Sequence, residues 1–252
     1  MLIAALLGGW FLATIWLAAA ILFAIEWASM TRLRPTMPML AVMIAGLSLL
    51  QLAFASGWTA LALIIAALSA AALAAFPQHD RDRLWGVAGF GCAAAIALVP
   101  IALRSIGLTA ILWLFAVVWA TDVAAYFVGR LLGGLKLWPA VSPHKTWSGF
   151  AGGLLGGSAV GLATVLIGSH GGADLSSSGP AILLVSALAS LASQAGDLGE
   201  SAMKRHFGVK DSGQIIPGHG GAMDRLDGFT AVAVLTGFVL LVMHPAVRTM
   251  TP

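Results

Sequence analysis

Charge is what this chain has least of. Only 9% of its 252 residues are Asp, Glu, Lys or Arg, where a soluble domain carries roughly 25%. With 60% hydrophobic residues and a mean hydropathy of +0.96, the chain reads as an integral membrane protein. Soluble length-per-domain arithmetic therefore does not apply. There is one cysteine, Cys92, which excludes an intrachain disulfide and a cysteine-rich zinc site. It lies in an apolar run and reads as helix packing. The P-loop pattern is missing, which excludes a P-loop ATPase, and the six histidines show no metal-ligand spacing. A formal charge of +3 and a pI near 9.5 could suggest nucleic acid as a partner. The basic residues, however, sit in short links between apolar runs, as in cytoplasmic membrane loops, so no nucleic-acid partner is expected.

What is there, mostly, is helix of membrane length. About 20 residues of helix cross a hydrocarbon core, and eight apolar stretches qualify, near 2–29, 36–56, 58–76, 84–103, 107–129, 148–168, 180–202 and 229–246. The fold class is thus an all-α, polytopic membrane bundle of about eight helices. Residues 1–106 would be N-terminal transmembrane helices, and 107–252 a catalytic region with cytoplasmic loops, together one membrane domain. The first stretch is too long for a signal-peptide core and reads as a retained helix. Gly57-Trp58 makes a tight turn, and Pro100 is placed to kink the fourth span. Residues 169–179 form an external loop with no evident chemistry.

The basic residues orient the bundle. Of the thirteen Lys and Arg, two (Arg104 and Arg248) fall on the side of the even-numbered loops and the C-terminus; the other eleven fall in the loops after spans one, three, five and seven. Those loops are therefore cytoplasmic and both termini external. Trp27, Trp58, Trp85, Trp138 and Trp147 fall near span ends, as an interfacial belt would.

Gln194–Gly228 holds five of the ten acidic residues and four of the thirteen basic ones. Ionisable groups near hydrocarbon are costly, so a concentration of them marks use. Ser190, Gln194, Asp197, Ser201 and Lys204 share a helical face, which should line a wet cavity or a subunit contact; the plainer reading is a salt bridge from Asp197 or Glu200 to Lys204. Lys204, Arg205 and Lys210 supply cations for a polyphosphate. Pro217-Gly218-His219-Gly220-Gly221 lets backbone amides approach an anion, and Asp224 and Asp227 flank Arg225. Carboxylates beside cations in a glycine-rich setting suit metal-assisted phosphoryl chemistry; a basic loop on lipid headgroups would leave the two aspartates unexplained.

Two more segments join these. Asp122, Tyr126 and Arg130 recur every four residues on one face of the fifth span, either as a functional intramembrane acid or as a structural Asp122–Arg130 pair. In SPHKTWSG, Ser142, Lys145 and Thr146 offer donors just before a helix, where phosphate is attracted. Gly149, Gly153, Gly157 and Gly161 make a ridgeless face and read as packing. Glu26, at the end of the first span, reads as interfacial and is given no role.

Ser201-Ala-Met-Lys204-Arg205, Lys210-Asp211-Ser-Gly213, Pro217-Gly-His219-Gly220-Gly221 and Asp224-Arg225-Leu-Asp227 together resemble the motif of the phosphatidate cytidylyltransferases (CDP-diacylglycerol synthases). QAGDLGES, SPHKT and DVAAYFVGR resemble that family in the same order. The specific likeness covers about 120–230; before it lie only apolar helices and the Glu26-Trp27 pair. The resemblance implies that phosphatidate attacks the α-phosphorus of CTP, giving CDP-diacylglycerol and pyrophosphate for phospholipid synthesis. It implies Mg²⁺, with a second cation open, on Asp197 and Asp224. Lys145, Lys204, Arg205 and Lys210 would neutralise phosphates, and Asp211, His219, Arg225 and Asp227 would shape the site. A homodimer in the bacterial inner membrane, with its site facing the cytoplasm, is also implied.

Ala222 stands where the family has a larger aliphatic residue, and Ser148 where it often has Glu. The resemblance implies that the N-terminus would fall within the family's first hydrophobic hairpin. The competing readings are a CTP-dependent enzyme on another lipid (a polyprenol-type kinase or an ether-lipid cytidylyltransferase) and a cation-coupled transporter using Asp122 and Asp197. Against the transporter, no interrupted helices recur in two halves.

Overall fold

A computed structural model describes residues 2–168, 175–213 and 220–243. The chain is an all-α membrane bundle with one small hairpin. In order come α1 (Leu2–Leu7), α2 (Gly9–Thr31), α3 (Thr36–Ala55), α4 (Thr59–Ala75), α5 (Asp80–Ile106) and α6 (Leu108–Leu132). The strands β1 (Lys136–Trp138) and β2 (Ser142–Thr146) follow, then α7 (Trp147–Gly168), α8 (Leu175–His206), a 3₁₀ turn at Met223–Arg225, and α9 (Asp227–Met243). Six of these helices are long and apolar enough to cross a membrane, α2, α3, α5, α6, α7 and the part of α8 from Gly179; α4 and α9 are shorter apolar helices. All eight expected spans thus have a helix.

Two details differ from the expectation. The first span is broken at Gly8, where Gly8 and Gly9 take positive φ of 66° and 53°, a region open to glycine without steric cost. Arg104 reaches across from the end of α5 and its Nε donates to the Ala5 carbonyl at 2.9 Å. Trp27 is not interfacial: it is 5% exposed, and its indole N–H donates to the Trp85 carbonyl at 2.8 Å. Pro100 lies inside α5, which continues through it; in a membrane bundle neighbouring groups re-satisfy a freed carbonyl. At the expected tight turn, Gly57 has φ +82°, and Trp58 N–H closes back on Ala53 O at 2.9 Å.

The core gathers around α2. Trp16 stacks on Phe229 of α9 at 4.6 Å and on Phe115 of α6 at 5.9 Å. Lower down, Trp27 contacts Trp85 of α5 at 5.7 Å, and Trp85 meets Phe207, just past α8, edge-on at 5.2 Å. These aromatic contacts tie the end of α8 to the N-terminal half.

The glycine face of α7 packs within this chain. Gly149, Gly153, Gly157 and Gly161 are all buried. A Cβ on Gly149 would stand 2.8 Å from Ala125 O of α6, and one on Gly153 would stand 3.0 Å from Thr121 O and 3.1 Å from the Gln194 side-chain oxygen of α8. Across this seam Thr121 Oγ1 donates to Ser190 Oγ at 2.8 Å, and Ser190 Oγ to Gly153 O at 3.1 Å. Interhelical bonds of this kind contribute about 0.6 kcal/mol each on average in membrane proteins.

Candidate active site

The expected site residues gather into two neighbouring groups. The first surrounds a cleft of about 570 Å³ between α6, the hairpin, the start of α7 and α8. Antiparallel pairing of β1 with β2, with Lys136 opposite Thr146 and Trp138 opposite Ser142, brings the SPHKT segment over the cleft. Trp147 N–H closes this link on Leu135 O at 3.0 Å. Lys145 and Asp197 form an ion pair inside the cleft. Asp122 also lines it, within electrostatic reach of both Asp197 and Lys145. Asp227 opens α9, its Oδ1 accepting Gly228 N–H at 2.7 Å, and feels Asp197, Asp122 and Lys145. Gly196 makes that approach possible, since a Cβ there would lie 2.8 Å from Asp227 O.

Tyr126 and Arg130 line the same cleft, as do Lys136 and His144. Arg130 donates to the Tyr126 hydroxyl at 2.7 Å; among the described residues it makes no ion pair with Asp122, so the structural pairing weighed above does not form. Thr146 is buried and caps α7, its Oγ1 accepting Gly149 N–H at 3.1 Å. Ser148, in place of the Glu, donates to the Gly133 carbonyl and so ties the start of α7 to the end of α6. Ser142 is half-buried in β2.

The second group lies around the 3₁₀ turn. Lys204 Nζ bridges Asp224 Oδ1 at 2.6 Å and Glu200 Oε1 at 3.1 Å. The plainer reading of the α8 stripe therefore holds for Glu200–Lys204, while Asp197 pairs elsewhere. Asp224 Oδ2 accepts three donors: Gly221 N–H at 2.8 Å, Ser212 Oγ at 2.9 Å and Ser212 N–H at 3.0 Å. Gly220 has φ +81°, and a Cβ on it would lie 2.8 Å from that same oxygen. Burial pushes the Asp224 carboxyl up, but Lys204 and the Gly221 and Ser212 donors outweigh it and bring the pKa down to about 2.

The stripe on α8 divides between these groups. Ser190 is fully buried in the helix seam rather than in a wet cavity, Gln194 and Asp197 face the cleft, and Glu200 and Lys204 face the turn. Ser201 is half-buried. Arg205, Lys210 and Asp211 are exposed, and make no ion pair among the described residues. Arg225 is also exposed. His219, with Pro217 and Gly218, lies outside the described residues.

Glu26 is the residue that sequence reasoning passed over. It is 2% exposed, and its carboxylate takes Ala222 N–H at 2.9 Å, Met223 N–H at 2.8 Å and Ser212 Oγ at 3.2 Å. The available signal was a lone acid in an apolar helix, which is costly unless used.

For a metal, the donor chemistry fits a hard cation. Lys145 pairs with Asp197, and the carboxylates of Asp122 and Asp227 lie within electrostatic range of that pair. Asp224 has one oxygen saturated by protein donors and the other on Lys204, so each lysine stands where a cation would. Among the described residues no three His, Cys, Asp or Glu side chains converge on one point. Mg²⁺ is ordinarily held by one or two carboxylates with substrate phosphates and water, so it needs no such cage.

The fold and this site define a polytopic helical membrane protein that sets carboxylate–lysine pairs from distant segments side by side. The sequence profile of the cytidylyltransferase family matches residues 1–243, and the chain belongs to that family. It is 49% identical over 162 residues to the phosphatidate cytidylyltransferase of Brucella suis biovar 1 (strain 1330), covering 63% of this chain and 57% of that protein. It is 46% identical over 158 residues to the phosphatidate cytidylyltransferase of Staphylococcus haemolyticus (strain JCSC1435), 60% of this chain and 59% of that protein. The chain spans somewhat over half the length of the curated relatives it matches.

Proposed function

We propose that this chain is an integral-membrane CTP:phosphatidate cytidylyltransferase, which makes CDP-diacylglycerol and releases pyrophosphate. The observation that carries this reading is the pairing of Lys145 with Asp197 and of Lys204 with Asp224. Each pair joins two segments of the family motif at one site, in a chain whose relatives bear that enzyme name. A phosphate oxygen of phosphatidate attacks the α-phosphorus of CTP. A new P–O bond forms, the bond from the α-phosphorus to the β-bridging oxygen breaks, and its electron pair leaves with pyrophosphate.

An ionised phosphate monoester is already a nucleophile, so the residues act by neutralising charge and aligning the partners in line. Lys145 and Lys204 exchange their carboxylates for phosphate oxygens, with Arg205 at the end of α8, Lys210 beyond it and Arg225 in the 3₁₀ turn as further cations. Ser142, Tyr126 and Ser201 offer hydroxyls to the substrates. Thr146 acts through the α7 cap, and Gly220 and Gly221 through the backbone that holds Asp224. Mg²⁺, for which Asp197 and Asp224 supply oxygens, adds charge neutralisation across the phosphates when bound, and the carboxylate excess around Lys145 leaves charge for a second cation.

The proposed setting is the bacterial inner membrane with the site facing the cytoplasm, supported by the placement of eleven of the thirteen basic residues. A homodimer rests on the family resemblance, and light scattering of the detergent-solubilised protein tests it. The function itself is tested with radiolabelled CTP, phosphatidate and Mg²⁺, following lipid-extractable label and pyrophosphate. Label in the lipid with pyrophosphate released supports cytidylyl transfer. Release of CDP instead indicates a lipid kinase, and no transfer by a folded protein overturns the reading.

A further inference from the structure

Glu26 sits on α2, 186 residues before Ser212 and 197 before Met223, in a half of the chain that otherwise supplies apolar helices. Its carboxylate is enclosed by the loop that carries Asp224. Oε1 takes Ala222 N–H at 2.9 Å; Oε2 takes Met223 N–H at 2.8 Å and Ser212 Oγ at 3.2 Å. Two glycines complete the enclosure. A Cβ on Gly213 would stand 2.5 Å from Oε1 and 2.8 Å from Cδ, and a Cβ on Gly221 would collide with both Oε2 and the Ser212 hydroxyl. Both oxygens are therefore committed to donors, and the group is 2% exposed. Protein donors fill three of the roughly four acceptor positions of this carboxylate, and Glu26 is not among the residues that line the cleft.

We propose that Glu26 is a positioning residue of the cytidylyl-transfer reaction, holding Ser212–Gly213 and Gly221–Met223 so that Asp224 and Lys204 keep their relative placement. This rests on the function proposed above. The single Ser212 hydroxyl proton is shared between the two carboxylates, at 3.2 Å from Glu26 and 2.9 Å from Asp224, and Met223 immediately precedes Asp224 in the chain. A carboxylate is suited to the task because it only accepts, and three donors converge on it. An amide in its place would turn an N–H₂ toward one of these N–H groups.

Three measurements decide it. In the wild type, the Ala222 and Met223 amides should exchange with deuterium far more slowly than a solvated loop; free-loop rates would overturn the clamp. Glu26→Gln attacks the clamp from α2. Gly213→Ala attacks it from the loop without altering Glu26. Each should lose kcat by about 10²-fold, the cost of misplacing reacting groups by an ångström or so, with the KM for phosphatidate unchanged and a raised Mg²⁺ requirement. A purely structural role would instead reduce the amount of folded enzyme, leaving kcat per folded molecule and the Mg²⁺ dependence as they were. That pattern, or wild-type kcat in either folded variant, would overturn the proposal. If neither variant folds, the wild-type exchange rates decide. A wild type that exchanges slowly at 222–223 but transfers no cytidylyl group would sink the functional reading and leave the clamp standing.

Discussion

Asp224 shows how much one side chain can be asked to do. Lys204, Ser212 and Gly221 hold its carboxyl near a pKa of about 2, so it is ionised wherever the protein is studied. A folded-state pKa below the ordinary 3.8 contributes stability that is complete above about pH 4 and is lost as pH falls toward 2. Asp224→Asn should therefore melt below wild type by a constant margin from pH 8 to pH 5, and the margin should close below pH 4. At pH 7 the variant should remain folded and inserted but give no detectable turnover in the CTP assay. Asp224 was legible in the sequence because its neighbours, Arg225 and Asp227, form a motif. Glu26 was not, because its partners are mostly main-chain N–H groups on the far side of the chain, and no spacing records such a contact. Ser190 misled for a related reason: helical periodicity tells which residues share a face, while the packing of α6 and α7 decides which part of that face is dry.

At the scale of elements, the hairpin and α7 set the cleft. The β1–β2 pair carries Lys145 to Asp197 and was not foreseen, since its strands are three and five residues long with Pro139 and Pro143 between or within them. Lys145→Ala should lower kcat/KM by about 100- to 1000-fold, the scale of removing one charge-stabilising donor. Lys145→Arg should restore only part, because a planar fork does not replace a point charge. Steady-state kinetics on both substrates checks this. The glycine face of α7 was legible from its four-residue repeat, and the structure adds that its partners are α6 and α8 of the same chain. Gly157→Val should destabilise the folded protein by about 1–3 kcal/mol or more, because its side chain would overlap Thr121 and Ser190. Thermal melting in detergent measures this.

For the whole molecule, hydropathy located the six described helices long enough to cross a membrane and the two shorter apolar ones, yet the break at Gly8 escaped it, because a sliding apolar average does not register backbone dihedrals. The basic residues predict which side each loop faces. With Cys92 replaced by Ser, Lys210→Cys should react with an impermeant maleimide only from the cytoplasmic face, and Trp58→Cys only from the opposite one. Labelling of both from one side would remove a crossing and with it the proposed orientation. The division into a supporting N-terminal half and a chemical C-terminal half is also weaker than the sequence suggests: Trp27, Trp85 and Phe207 form one aromatic chain across it.

Tyr126, which accepts the Arg130 hydrogen bond at the edge of the cleft, is the only tyrosine in the chain. Biosynthetic incorporation of 3-fluorotyrosine would therefore place a single ¹⁹F nucleus in the protein, beside the cleft and nowhere else. Its one resonance would give a background-free optical-assay alternative: a spectroscopic titration in which CTP, phosphatidate and Mg²⁺ are added singly and their order of arrival is read from chemical shift.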